Sequence, residues 1–578
     1  MSYYNFMKNE VIAKIFENMA AILEIEGAPN AYFRVRAYQN AAQVLKELPI
    51  DVEELILRGE MLKIPGIGEI LAQKIREYIK TGKIEAYEIM LKMYPQSLLD
   101  LLKIQSLGPK KLKLLHETFG VKDLNSLEKV MKSGQAEMLP KFKAKTIANI
   151  LHGLDILKNT QDRVLLGFIY PKVQDLLTRI KKIPGVKKIE VAGSFRRRQE
   201  TIGDIDILVA GKNPSQIFSS FLKFPEIKRV LAHGETKSSV LIDEGRQVDL
   251  RIVNEENFGA ALQYFTGSKK HNIAIRKLAN NLGLTINEYA LSDIKTGEVK
   301  VSKSEEKIYQ ALGLQYIPPE IRNDTGEIEA AQQNKIPKLI EFSDIKGDLH
   351  IHSNYSDGKN SIEQMVVAAI AKGYEYIAIT DHSPRLTVAH GLHLEDLQKK
   401  QAEILALNKK FPIKILYGTE VDILEDGSLD YPNEILKNFD MVIASIHYKF
   451  NQDNTERISK AMQNPFVHAI GHLTGRMIGS RDSYPLDFDK VFQVAAKTQT
   501  WLEINAQPER MDLPDIYIRR AKEAGCKFII DTDSHFNKSL WLMDLGVSYA
   551  RRGWLTESDV INTLKWKDLK SKLKYDSL

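Results

Sequence analysis

Apolar residues recur at three- and four-residue spacing through residues 1–160, as in NEVIAKIFENMAAILEIEG and IEAYEIMLKMY, which predicts amphipathic helices. From about 161 to 260 the pattern changes to β-branched alternating runs, KIEVAGSF, IDILVA, SVLIDEG and QVDLRIV, which predict strands. Residues 261–320 return to a mixed, mainly helical pattern. After 344, a regular alternation of strand and helix signals runs almost to the end. Between these lies PPEIRNDTGEIEAAQQNKIPKLIEFS (318–343), which opens on Pro-Pro, is polar and lacks strong periodicity. It is predicted to be a linker.

Length and composition narrow this picture. The 578 residues exceed what one core ordinarily supports, so several domains are expected. A single cysteine, Cys526, excludes an intrachain disulfide framework and a cysteine-rich zinc site, and fits a reducing compartment. The start, MSYYNFMKNEV, lacks a basic segment followed by an apolar one, and no run of about 18 apolar residues occurs. A cytoplasmic protein without a membrane span is expected. Residues 1–343 carry 51 Lys+Arg against 42 Asp+Glu, and residues 344–578 carry 30 against 33. The formal charge of +6 therefore divides into a basic part suited to a polyanion and a slightly acidic part.

In the helical part, LKIPGIGEILAQKI (62–75) is an apolar segment, a glycine turn and a helix, and LLKIQSLGPKKLKLL (101–115) repeats the plan. Gly66, Gly68 and Gly108 permit tight turns that present amide N–H groups at a helix start, where a phosphate binds without any base being read. Both segments resemble the helix-hairpin-helix motif. LPKFKAKTIANIL (139–151) reads as a degenerate third element.

The stretch AGSFRRRQETIGDIDILVA (192–210) joins Gly193-Ser194 and three arginines to Asp204 and Asp206. On a strand these two carboxylates project from one face and repel unless a cation lies between them. Magnesium, its shell completed by substrate phosphates, is the usual solution. Asp249 in QVDLRIV is the candidate third carboxylate of a two-metal site. Ser194 offers a hydroxyl to a terminal phosphate, and Arg197 offers a planar donor fork.

GSFRRRQETIGDIDIL, VDLRIV and YFTGSKKHNIAIR (264–276) together resemble the family X DNA polymerases with a DNA polymerase beta-like core, over residues 1 to about 320. The resemblance implies that Asp204, Asp206 and Asp249 are catalytic and hold two Mg2+ ions. It implies that Gly193, Ser194, Arg197, Gly203 and Arg163 meet the triphosphate. Tyr264, Phe265 and Gly267 would line the sugar pocket, and Asn272 and Arg276 would face the new pair and the template. Lys269-Lys270-His271 departs from the vertebrate form and receives no role. The family also implies a lyase whose Schiff-base lysine falls at Lys74. Ile70 and Ala86 stand where vertebrate enzymes carry lysines, which predicts a weakened phosphate pocket.

The second half carries a denser signal. GDLHIHSNYSDG gives His350, His352 and Asp357; AITDHS gives His382; ILYGTEVDIL gives Glu420. VIASIH gives His447, VHAIGHL gives His472, and FIIDTDSH gives Asp533 and His535. Each lies at or just past the end of an apolar run, and in a parallel βα barrel the strand ends converge on one mouth. WLEIN (501–505) supplies a seventh strand without an evident ligand. This pattern resembles the PHP (polymerase and histidinol phosphatase) domain. The resemblance implies up to three ions, Mn2+ or Zn2+. One is held by His350, His352, Glu420 and Asp533, and a second by Asp357, His382 and His535. A third is held by Glu420, His447 and His472.

The expected fold is multidomain α/β. It comprises helix-hairpin-helix helical domains at 1–85 and 86–160, and a nucleotidyltransferase palm with a mixed sheet at 161–260. A thumb at 261–317 and the linker 318–343 lead to a PHP distorted (β/α)7 barrel at 344–570. The expected function is gap-filling DNA polymerisation in base excision repair, joined to a metal-dependent 3′–5′ exonuclease. Cleaning of 3′ ends and cutting at abasic sites are further possibilities that the resemblance implies. Gapped or nicked DNA and dNTPs are the expected partners of a monomer. Two alternatives stand beside this reading: a DNA-end clamp with a silent polymerase site and an active PHP nuclease, and a non-enzymatic DNA-binding scaffold.

Overall fold

Three turns of the same build recur along the first part of the chain. In each, two apolar residues three positions apart close successive backbone turns: Ile64 and Ile67, Ile104 and Leu107, Leu139 and Phe142. A residue with positive φ follows the first of each pair by two: Gly66 (85°), Ser106 (71°) and Lys141 (73°). A helix then begins, Glu69–Thr81, Pro109–Phe119 or Ala144–Thr160. Gly68 and Gly108 cap the first two in nearly identical extended conformations. The third turn follows the same path without a glycine, Thr146 N and Ile147 N donating to Lys143 O at 2.7 and 3.1 Å.

The computed structural model describes residues 7–27, 31–47, 52–64, 66–104, 106–160, 163–242 and 245–573. They divide into two compact units, Met1–Asp162 with Ile478–Asp482, and Arg163–Met477 with Ser483–Leu578. The first has a helical core. Ile12, Phe16, Met19 and Leu23 of helix Met7–Glu26 pack with Val35, Tyr38, Ala42 and Leu45 of helix Ala31–Glu47 and with the apolar residues of the three turns.

The second unit begins with a mixed five-stranded sheet: β1 (Val186–Val191), β2 (Ile205–Gly211), β3 (Ile227–His233), β4 (Lys237–Ile242) and β5 (Gln247–Val253). Its order is β1-β2-β5-β4-β3, with only β2 and β5 parallel. Helix Leu166–Lys181 covers it, burying Leu166, Ile169, Val173, Leu176 and Ile180. This helix lies where the sequence pattern predicts strands. Its helical spacing is interrupted by Gly167 and Pro171, residues that ordinarily argue against a helix interior.

Helices Phe258–Thr266, Lys269–Asn281 and Glu305–Ala311 follow, with a small antiparallel sheet. The segment expected as a linker packs against them. Its short helices Pro319–Ile321 and Glu327–Gln332 bury Ile321, Ile328 and Ala331 in one core with Ile275, Ile308, Tyr309 and Leu312. Elements this short carry too few apolar residues for a period to be read. Arg322, fully buried, pairs with Glu305 at 2.6 Å, and Glu305 pairs also with Arg196. His271 is likewise buried, between Glu327 (2.7 Å) and the Tyr309 hydroxyl (2.9 Å), so its part is structural.

Seven parallel strands form the remainder: β6 (Gly347–Ile351), β7 (Tyr376–Ile379), β8 (Lys414–Asp422), β9 (Met441–Ser445), β10 (Ala469–Ile470), β11 (Trp501–Asn505) and β12 (Phe528–Asp531). They pair in sequence order. Ile351 bridges Ser534 in parallel register just past β12, so the barrel nearly closes. Among the described residues, no helix is long and apolar enough to cross a membrane.

Candidate functional site

The C-terminal ends of the barrel strands bring nine nitrogen- and oxygen-bearing side chains to one mouth. Glu420, on β8, lies at the centre. Its Oε2 is 3.3 Å from His350 Nε2, 3.5 Å from His352 Nε2 and 3.0 Å from His382 Nδ1. Its Oε1 is 3.3 Å from His447 Nε2 and 3.0 Å from His472 Nε2. Asp533 Oδ1 stands 3.2 Å from His352 Nε2, and Asp357 stands 3.3 Å from His535 Nε2 and 3.6 Å from His382 Nε2. Three groups have the spacing of metal ligands: His352, Asp357, His382 and His535; His350, His352 and Asp533; and His382, Glu420 and His447.

Neighbours fix the imidazoles. His350 Nδ1 donates to Glu503 Oε1 at 2.6 Å, which directs Nε2 to the cluster, and Asp422 Oδ1 accepts from His447 Nδ1. Asn505 Nδ2 donates to Asp533 Oδ2 at 3.0 Å, and His535 Nδ1 donates to the Asp533 carbonyl at 2.9 Å. Strand β11 thus contributes Glu503 and Asn505 as supports. Neither is among the residues expected at the site, although an acid and an amide two apart at a strand end are the available signal. Asp422, two residues past Glu420 on the same strand, carries a similar signal.

Burial would lower the His382 pKa, but Glu420 and Asp357 outweigh it and push it up to about 10. His352 drops to about 4 under burial and the charge of His535 and His382. Glu420 is drawn well below the usual range: burial opposes this, but His382, His350 and His447 prevail. Among the described residues, Nε2 of His350, both ring nitrogens of His352 and Nδ1 of His472 are buried without a hydrogen-bond partner. Buried imidazole nitrogens grouped with carboxylates are what divalent ions of borderline softness satisfy. Asp533 and His472 hold φ of 49° and 27°, a strained conformation for residues bearing a Cβ.

The mixed sheet carries a second constellation. Parallel pairing of β2 with β5 sets Asp206 directly beside Asp249, and Asp204 precedes β2 on the exposed side. Gly193 has φ 59°, and a Cβ there would lie 2.6 Å from Asp206 Oδ2, so glycine brings the Gly193–Arg196 turn against the carboxylate. Burial and the charge of Asp249 raise the Asp206 pKa to about 6. Asp249 goes the other way: burial opposes, but Lys237 at 2.5 Å, Ser239 and Gln247 hold it down.

Around these, Arg163 Nε donates to Thr201 Oγ1 at 2.8 Å, and its Nη1 would lie 3.3 Å from a Cβ at Gly203. Arg197 donates to the Thr266 carbonyl and would lie 3.2 Å from a Cβ at Gly267. Asn272 Nδ2 donates to the Tyr264 carbonyl at 2.7 Å, and the Arg251 guanidinium covers the Phe265 ring at 4.4 Å. Ser194 lies half-buried on the same turn as Gly193, whereas Arg276 points an exposed side chain from its helix. In the first unit, Lys74 is half-buried on helix Glu69–Thr81 and Ile70, at the start of that helix, is 72% exposed.

Comparison with known proteins accords with this geometry. The family model described as DNA polymerase beta thumb matches residues 261–323, the helix-hairpin-helix domain matches 7–84, and the PHP domain matches 348–507. A probable phosphatase of Thermoanaerobacter sp. (strain X514) is 31% identical over 37% of this chain and 89% of its own. One from Acetivibrio thermocellus is 29% identical over 33% and 79%. The DNA polymerase/3′-5′ exonuclease PolX of Bacillus subtilis (strain 168) is 39% identical over 574 residues, 98% of this chain and 100% of that one. A likeness sustained from one end to the other, across both constellations, makes the chain a member of the PolX family.

Proposed function

We propose that this chain extends DNA 3′ ends across short gaps at the Asp204, Asp206 and Asp249 site, and removes nucleotides from 3′ ends at the barrel mouth. The observation that carries the reading is that one chain holds both a carboxylate pair on adjacent parallel strands and a barrel mouth where eight side chains have the spacing of metal ligands and His472 stands 3.0 Å from Glu420. The three aspartates would hold two Mg2+ ions. The barrel residues would hold up to three Mn2+ or Zn2+ ions. Divalent ions at such sites polarise phosphoryl oxygens and favour deprotonation of the attacking oxygen.

The chain's own residues bind and orient the substrate. Ser194, Arg163 and Arg197 donate to the triphosphate, and the backbone at Gly193, Gly203 and Gly267 leaves room for its approach. Tyr264 and Phe265 face the sugar, and Asn272 and Arg276 face the base pair. The helix starts after Gly66, Gly68 and Gly108 take backbone phosphates of gapped or nicked DNA. Base excision repair in the cytoplasm, by a monomer, is the setting this chemistry suits. The test is a one-nucleotide gap incubated with Mg2+ and with Mn2+. Gap closure with dNTP and shortening of the 3′ end without it are expected. A chain that only shortens the end is a nuclease with a silent polymerase site.

A further inference from the structure

The triphosphate turn is held from behind by the PHP part of the chain. Gly193–Arg196 form a short helical turn, and Arg198, two residues past it, adopts φ 53° on the way to Glu200. Such a turn has few hydrogen bonds of its own, so its placement depends on what packs against it. Helix Met543–Arg552, which follows the last barrel strand, supplies much of that packing. Arg552 Nη1 donates to the Arg197 carbonyl at 3.0 Å, and its other terminal nitrogen is fixed by Asp515. At the far end of the turn, Glu200 accepts from Arg476 Nη2 at 2.9 Å and from the Tyr549 hydroxyl. Between the two, Tyr170 stacks on Phe195 (5.5 Å) and on Trp541 (5.7 Å). Ala506, Leu542 and Leu545 lie in the same apolar core as the mixed sheet.

These contacts reach the substrate residues. The backbone of Arg197 is held by Arg552, and its guanidinium holds the Thr266 carbonyl beside Gly267. Its Nε is buried without a partner among the described residues and is a donor that a phosphate would satisfy. We propose that Arg552 is a positioning residue for polymerisation: from within the PHP part of the chain it sets Arg197 against the incoming triphosphate, assisted by Arg476 and Tyr549 through Glu200. This rests on the polymerase reading above.

The test uses the full chain with Arg552→Lys and Glu200→Gln. Lysine keeps the charge and reaches Asp515 but presents no second planar donor to the Arg197 carbonyl. Gap filling by the parent comes first, because its absence defeats the polymerase reading itself. Given an active parent, the KM for dNTP should rise about tenfold in Arg552→Lys and about threefold in Glu200→Gln. The kcat and the 3′–5′ exonuclease rate should each stay within about twofold of the parent. An unchanged KM in both variants overturns the proposal. So does an equal fall in both activities, which marks the contact as a general brace.

Discussion

The mixed-sheet site and the barrel mouth both gather charge in partly dry surroundings, but they balance it differently. Among the described residues, the sheet site sets carboxylates side by side with one close lysine and no imidazole. Lys237 reaches Asp249, and Asp206 is left beside it with its pKa raised to about 6. At the barrel mouth, acids alternate with imidazoles, and the single carboxylate of Glu420 lies within 3.5 Å of five histidines. A site with carboxylates in excess is completed by what the substrate brings with it, as a triphosphate brings magnesium. A mixed ring can keep its geometry through neutral and charged forms and hold its own ions. The two sites should therefore fail separately.

The largest expected effect is that separation. Asp206→Ala removes the carboxylate central to the sheet site and should reduce gap filling on the order of a thousandfold or more, leaving 3′ hydrolysis intact. His350→Ala with His352→Ala should eliminate exonuclease and spare gap filling. Both activities are read on one gapped duplex, with and without dNTP. Normal extension by Asp206→Ala sinks the polymerase assignment, and hydrolysis that survives the double change places the nuclease elsewhere. A smaller effect is expected at the support. Glu503→Gln weakens the acceptor for His350 Nδ1 and disturbs the His472 amide that Glu503 also receives. Exonuclease activity should fall about 10- to 100-fold and recover in part at higher metal concentration. An unaltered metal titration would deny Glu503 this role.

The imbalance in the sheet site also sharpens into a stability measurement. Asp206 keeps its proton up to about pH 6 in the native chain, against an ordinary value of 3.8. The native state thus binds more protons than the unfolded one between these values, and its stability falls as pH rises through that window. Asp206→Asn removes the penalty. In chelator, the variant should exceed the parent by about 1–2 kcal/mol at pH 8, after allowance for partial exposure, and by little at pH 4. Urea unfolding at both pH values decides this. A gain equal at the two would assign it to packing.

How much of this was legible in the sequence follows from distance along the chain. The nine residues of the barrel mouth stand at breaks in apolar runs, and a repeated break at strand ends can be read without a fold. The pairing of Asp206 with Asp249 needed the sheet register, but two acidic strands within fifty residues suggested it. Glu503 looked like part of an unliganded strand because its partner, His350, is 153 residues away. The brace from Arg552 to Arg197 spans 355 residues and leaves no local pattern. Helix Leu166–Lys181 was hidden by its proline, and the packed 318–343 segment by the shortness of its helices.

The smallest expected effect lies in the first unit. A Schiff-base amine must be neutral when it attacks and must be held near the sugar aldehyde, which takes a pocket for the 5′-phosphate. Lys74 supplies the amine from helix Glu69–Thr81, one turn past the start that follows Gly68. Ile70, on the first turn, offers the phosphate a largely exposed apolar side chain, and Ala86 offers a methyl group. Two charge-assisted contacts are missing, each worth roughly 1.5–3 kcal/mol, so productive binding should weaken about a hundredfold or more. The amides of the helix start remain, and DNA binding should persist. Borohydride trapping on 5′-deoxyribose-phosphate DNA is expected to give little adduct, and Lys74→Ala should alter repair of that substrate only slightly. A strong adduct that disappears in Lys74→Ala would mean that the hairpin amides alone hold the phosphate, and would add a third active site.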